Sequence, residues 1–342
     1  MAGNGLVRCS ARVARRLNGA IARRAGGAKS LIALAIVLPL AAAAETGRLP
    51  IREARWAAPD RLYPSLIHEP AECLVPPSDP LEQRAAAIGR AAFRAPLLLG
   101  GQAARVGMSC ATCHRNGRGN PDFLFHGLSG DPGTADVTSS LMSAHRGDGH
   151  ANPVPIPDLG GSRAVLKISR NRDGALERFI RGLVVEEFDG PEPAPAVLAG
   201  LAAYVRALRP EGCGGSESSI TLADRLRDVE EAVRLAGQSQ GATRRFLVAA
   251  ARSALGGIDE RFAVPGLERD RTLLRGADKE LLAIRAGAGF ERWARGWTGT
   301  KQRLLRDERR SLFDPLVLRQ ALAAGLSPAP GRAAGRDADS AR

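Results

Sequence analysis

Apolar residues recur at helical spacing along most of the chain. Leu81, Ala85, Ile88, Ala92 and Phe93 fall near one face of a segment that Pro96 ends, which predicts a helix over 81–95. A short helix is predicted over 175–183. A clearer amphipathic one covers 195–208, with Val197, Leu198, Leu201, Ala202, Val205 and Leu208 on one side and Pro210 beyond its end. From 222 to about 324 the pattern is helical throughout, broken near Gly256-Gly257, Pro265-Gly266, Gly287 to Gly289 and Gly296. No segment shows a convincing strand period, and no internal repeat is visible. Proline at 50, 59, 64, 70, 76, 77 and 80 makes 45–80 an expected extended arm. Residues 115–162 are rich in Gly, Pro, Asp and Ser, and an irregular run of that length inside a compact unit is usually functional. Residues 214–219 read as a linker, and 331–342 as a disordered tail. The expected fold class is all-α, with a helical module over 81–213 and a helical bundle over 217–330.

Composition adds limits. The chain has 342 residues, 44% hydrophobic and 25% charged, which excludes collagen-like, disulfide-dense and broadly disordered classes. Residues 1–44 carry seven basic residues (Arg8, Arg12, Arg15, Arg16, Arg23, Arg24 and Lys29) and no acid. They end in an apolar run from Leu31 and the small residues Ala41 to Ala44. This is the layout of a cleaved export signal, with cleavage expected after Ala44. The apolar run is shorter than the roughly 20 residues that span a bilayer, and Pro39 interrupts it. Removing those seven cations takes the net charge from +13 to +6. Nearly all the basic residues are arginine and alanine is abundant, so no nucleic-acid partner is inferred from the charge. The mature chain is expected to be exported and soluble, with no stable membrane insertion.

Cysteine usage changes the picture most. Cys110-Ala-Thr-Cys113-His114 is C-x-x-C-H, the attachment pattern of c-type haem. Two thiols at that spacing add across the two vinyl groups of one porphyrin, and the adjacent imidazole can reach the iron. A redox dithiol would want a βαβ setting and a zinc site would want a second ligand pair; neither is present. One covalent haem c is therefore the expected cofactor, with His114 the proximal ligand. Of the five cysteines Cys9 leaves with the expected signal, and Cys73 and Cys213 remain to flank the module, so a disulfide between them is the simplest expectation in an oxidising compartment.

Ile88-Gly-Arg-Ala-Ala-Phe93, the run to Gly107-Met-Ser-Cys110-Ala-Thr-Cys113-His114 and a glycine-rich sequel resemble the bacterial di-haem cytochrome c peroxidases and their MauG-like relatives. Asp173-Gly174-Ala-Leu-Glu177 resembles a D-G element of that family, and Glu187-Phe188-Asp-Gly-Pro leading into 201–208 resembles a closing helix. The resemblance covers about 81–210 and implies a cytochrome c-like haem domain. Two departures matter: the chain has one C-x-x-C-H where the family has two, and no Met precedes the D-G.

The sixth iron position separates the possible functions, because an open site binds peroxide and a strongly ligated one transfers electrons. Met142 in the long loop can reach it. So can His126, which lies near the place where the family's peroxidase haem has a displaceable His. Met108 precedes the motif too closely, and His68, His145 and His150 read as solvated. Glu177, Glu186, Glu187, Arg146 and Arg163 are candidates for acid–base or polarising roles in peroxide cleavage. Trp293 and Trp297, four residues apart, read as core anchors before they read as an electron relay. The leading expectation is electron transfer with a redox partner protein. Peroxidase chemistry and haem-based sensing through the C-terminal bundle are the alternatives.

Overall fold

The computed structural model describes residues 49–324, except 163, 165, 171–173 and 285–286, and the side chains of 287 and 288. The expected signal and tail lie outside the described residues. The chain is mainly helical. In order it forms α1 (Leu62–Ile67), α2 (Pro80–Phe93), α3 (Gly101–Val106), α4 (Cys110–Cys113), α5 (Ala175–Gly182), α6 (Pro195–Ala207), α7 (Leu222–Gly237), α8 (Gly241–Arg261), α9 (Glu268–Ala283), α10 (Gly287–Asp307) and α11 (Pro315–Ala323). Local chemistry sets several of the starts. Asp79 accepts from the Glu82 N–H at 3.0 Å with Pro80 in the first turn of α2, and Thr221 accepts from the Asp224 N–H at 3.1 Å ahead of α7. None of the helices is long and apolar enough to cross a membrane, among the described residues.

Three short antiparallel ladders accompany the helices. They pair β1 (His68–Pro70) with β6 (Glu217–Ser219), β2 (Cys73–Leu74) with β5 (Leu208–Cys213), and β3 (Thr134–Ala135) with β4 (Val154–Pro155). Each is too brief for a two-residue period to show in sequence. Residues 49–80, expected as an extended arm, are tied down along their length. Leu49, Ile51, Leu62 and Leu66 bury against Leu312 and Leu318 of the C-terminal segment. Buried Arg261 donates to the carbonyls of Leu66 and Leu312 at 2.9 and 3.0 Å, and β1 and β2 then clip onto the strands that follow α6.

The tightest crossing is between α2 and α6. A Cβ placed on Gly89 would lie 1.9 Å from the Gly200 carbonyl oxygen, and one on Gly200 would lie 2.8 Å from the Ala85 carbonyl oxygen. The two backbones touch, and only glycine permits it. One turn on from each glycine stand Phe93 and Tyr204, whose rings meet edge to face at 5.2 Å. The Tyr204 hydroxyl donates to Glu72 Oε1 at 2.6 Å.

Helices α7 to α10 pack in a ring, α10 returning against α7, and α2 leans on α7 and α8. One buried cluster runs from Trp56, Phe93 and Tyr204 through Leu226 and Leu247 to Leu281 and Leu304, so the described residues of the two expected helical segments, on either side of 214–216, share a core. Trp293 and Trp297 stack within it at 5.1 Å. Their indole N–H groups donate to the Ala277 carbonyl and to Glu230.

Glycine substitutions at two places should have opposite signs. Gly89→Ala should lower stability by about 1–3 kcal/mol, because overpacking at the crossing outweighs the gain of about 1 kcal/mol in helix propensity. Gly299→Ala in α10, whose added Cβ meets nothing, should raise stability by up to about 1 kcal/mol. Urea midpoints read both, and two changes of the same sign would contradict the crossing.

Candidate functional site

The site is built on a single helical turn. Gly107, at φ +80°, ends α3, and the Met108 N–H donates back to the Ala103 carbonyl at 2.9 Å. The Ser109 N–H donates to Thr112 Oγ1 at 3.0 Å, which starts α4. In that turn Cys110 and Cys113, three residues apart, stand on the same side. The His114 N–H donates to the Cys110 carbonyl at 2.8 Å, so His114 closes the turn. The chain then bends through Asn116 and Gly117, both with positive φ. A Cβ on Gly117 would lie 2.3 Å from Leu208 Cδ1, so the end of α6 requires glycine there.

His114 Nδ1 lies 3.0 Å from the carbonyl oxygen of Pro157, forty-three residues along the chain. A carbonyl only accepts, so Nδ1 carries the proton and Nε2 keeps its lone pair. Burial pushes the imidazole pKa down to about 4, against the opposing pull of the Pro157 carbonyl and Asp158. The ring is thus neutral near pH 7, oriented, and able to give Nε2 to a metal. Pro157 is itself held, because the Leu159 N–H donates to the Gly117 carbonyl at 3.0 Å and Asp158 accepts from Arg118 at 2.8 Å. Phe93 stands 6.4 Å from the His114 ring, centroid to centroid.

Cys110 and Cys113 are both free thiols, half-buried against apolar core residues. Burial pushes each thiol up to about 12. Dithiol redox pairs work with thiols shifted the other way.

The other candidates separate by burial. Met142 is 1% exposed, and its N–H donates to the Ser139 carbonyl at 2.9 Å. The next residue docks this loop. Ser143 Oγ donates to the Glu186 carbonyl at 2.7 Å, and the Ala144 N–H donates to the Asp189 carboxylate at 3.0 Å. Both acceptors belong to the region of a π-helical turn, Leu183–Glu187. His126 is exposed, as are His68, His145 and His150. Met108 is buried in the core. Glu177 pairs with Arg206, while Glu186 and Glu187 both pair with Arg146. Glu187 differs from the other two. It is 6% exposed, burial raises its pKa despite Arg146, and its Oε2 has no hydrogen-bond partner. Arg163 and Asp173 lie outside the described residues. Among the described residues no three His, Cys, Asp or Glu side chains gather into a metal cage.

No protein-family model, curated protein or solved structure matches this chain. Its chemistry therefore rests on the geometry of its own residues. Two contributors carried no sequence signal: the Pro157 carbonyl, one proline among several in the loop, and the docking of Met142's loop on the π-helical turn.

Cys73 and Cys213 form a disulfide that closes a loop of 140 residues around the whole site. Reducing it, or substituting both by Ser, should lower stability by up to about 4–5 kcal/mol in the chain-entropy account. An unchanged urea midpoint under reductant would count against it. A second outcome follows from His114. With its imidazole uncoordinated, the unfolded chain takes up a proton near 6.5 and the folded chain only near 4. Stability should then fall as pH drops from about 6.5 to about 4, by a few kcal/mol at most, and level off below. In a Cys110→Ala/Cys113→Ala background, His114→Gln should flatten that slope; an equal slope in both proteins would exclude His114 as its source.

Proposed function

We propose that the chain is an exported mono-haem c-type cytochrome that transfers electrons, with haem joined to Cys110 and Cys113 and His114 on the iron. The observation that carries this reading is the His114 Nδ1–H bond to the Pro157 carbonyl. It fixes the tautomer and leaves the Nε2 lone pair free for a metal, on the residue directly after two unpaired thiols. When bound, the haem supplies an iron that cycles between ferric and ferrous. Phe93, Tyr204 and Met108 keep the surroundings apolar, which narrows solvent access. Met142 is the residue we assign to the sixth position: it is buried in the core cluster, whereas His126 faces solvent. We further propose that 81–210 is a cytochrome c-like domain related to the di-haem peroxidase and MauG-like family, reduced to one haem site. The partner is then a redox protein meeting the haem edge, and the compartment is outside the cytoplasm.

One observation favours a second reading, peroxide reduction. Glu187 is a buried carboxyl with a raised pKa and an unsatisfied oxygen, on a π-helical turn against which the Met142 loop is docked. A carboxyl is the type of group that proton transfer to a leaving oxygen calls for. Haem-based sensing has no comparable support beyond the shared core.

Absorption and EPR spectra of the ferric protein separate the two. The electron-transfer reading expects one covalent haem per chain, low-spin and inert to peroxide. A sulfur-to-iron charge-transfer band should be lost in Met142→Ala and kept in His126→Ala. High-spin iron that reacts with peroxide, with a rate reduced in Glu187→Gln, supports the second reading. A purified protein without haem would sink both.

A further inference from the structure

Helix α4 has a second face. Cys110, Cys113 and His114 stand on one side, while Ala111, Thr112, Arg115 and Asn116 line a cavity of about 730 Å³ behind them. Its facing walls are α2, at Ala87 and Ala91, and α8, at Ala250, Ala254 and Gly257; the N-terminal segment covers it. Protein interiors are close-packed, so facing helices that present alanine and glycine at these positions leave room between their larger polar residues for something other than side chains. The volume lies in the range of small-molecule pockets.

The charges on the wall say what kind of molecule fits. Most of its arginines are already engaged: Arg52 with Glu260 at 2.7 Å, Arg225 with Glu69 at 2.8 Å, and Arg90 with Asp228 at 2.6 Å. Arg115 and Arg84 have no carboxylate in ion-pair contact among the described residues. Arg115 makes one hydrogen bond, from Nη2 to the Ser65 carbonyl at 2.8 Å. The acids nearest it are committed elsewhere, Glu69 to Arg225 and Glu53 to Arg261. Arg84 gives Nη2 to the Gln238 carbonyl and to Ser239 Oγ, and its Nε is buried without a partner. The two mark opposite ends of the slot. Arg94, whose guanidinium holds Asn116 at 2.6 Å beside the Arg115 end, lies ten residues from Arg84 along α2, or about 15 Å.

We propose that this cavity is a binding site for an elongated organic anion, its apolar body along the alanine walls and its carboxylate or other oxyanion on Arg115. The site sits directly behind the residue that follows His114, yet it does not depend on the haem reading.

Calorimetric titration of the full-length protein with decanoate, and with decyltrimethylammonium of matched chain length, tests it. One decanoate should bind per chain, with the cation at least about tenfold weaker, since a charge-assisted hydrogen bond to guanidinium is lost. Arg115→Gln should weaken decanoate by about tenfold or more. Ala254→Phe, which fills the slot, should abolish binding with the far-ultraviolet circular dichroism retained; should that variant not fold, Arg115→Gln and the cationic amphiphile still decide. Equal affinity for the two amphiphiles, decanoate affinity unchanged by Arg115→Gln, or no decanoate binding overturns the proposal. A chain that binds decanoate but carries no haem would remove the proposed function and leave this site standing. A haem-bearing chain indifferent to decanoate would do the reverse.

Discussion

The backbone contact between α2 and α6 at Gly89 and Gly200 is the constraint from which the rest of the site follows. With a Cβ at either position the helices would have to separate, and everything one turn on would move with them. Because they touch, Phe93 meets Tyr204 and also comes within ring contact of His114. Tyr204 in turn reaches Glu72 in the N-terminal segment, next to the disulfide at Cys73. The end of α6 places Leu208 where Gly117 must have no side chain, which fixes the bend after His114. A crossing made of two glycines therefore places the Phe93 ring that meets the imidazole and helps set the bend that follows it.

Charge carries the same geometry into the C-terminal half. Arg94 on α2 holds Asn116 Oδ1 at 2.6 Å and Asp228 on α7 at 3.3 Å, while Arg90 bridges Asp228 and Glu72. Asn116 Nδ2 donates to the Pro70 carbonyl. Two separate stretches of chain thus converge on the residue two past His114, and α7 joins them through Arg94. Buried ion pairs add little net stability, because desolvation offsets their attraction, but they penalise any other register. The bundle is in this sense part of the frame of the site, joined to it by a shared apolar core and by directional pairs that tolerate no slip.

Much of this was legible in the sequence, and the boundary is physical. Helices α2 and α6 and the helices from 222 onward show because each buries one stripe against a neighbour, so the 3.6-residue period survives in the side chains. The C-x-x-C-H turn shows because its chemistry fixes its spacing, and Cys73 with Cys213 because few cysteines remain once the motif is set aside. What stayed hidden depends on contacts between distant residues. Pro157 acts through a carbonyl that every residue possesses, and it reaches His114 only after forty-three residues of loop. Glu187 looks like Glu177 and Glu186 until burial separates them. The N-terminal segment reads as extended from its prolines, although Leu49, Ile51, Leu62 and Leu66 give it an apolar side that α11 covers.

The two functional readings differ in one set of hydrogen bonds. Met142 is kept in the core by the bonds of the residues that follow it: Ser143 to the Glu186 carbonyl, Ala144 to Asp189, and Arg146 to Glu187. While they hold, a thioether occupies the apolar interior, as the proposed electron-transfer reading requires. The peroxide reading turns instead on Glu187, a buried carboxyl with a spare oxygen that these same bonds hold to Arg146. In the proposed reading the loop stays docked, because one of its acceptors, the Glu186 carbonyl, is set by backbone geometry. The Glu186 carbonyl cannot turn away without unwinding residues that themselves pack into the core, Val184 among them. A loop docked in part on a main-chain acceptor is what the proposed electron-transfer reading expects, whereas the peroxide reading requires that loop to open.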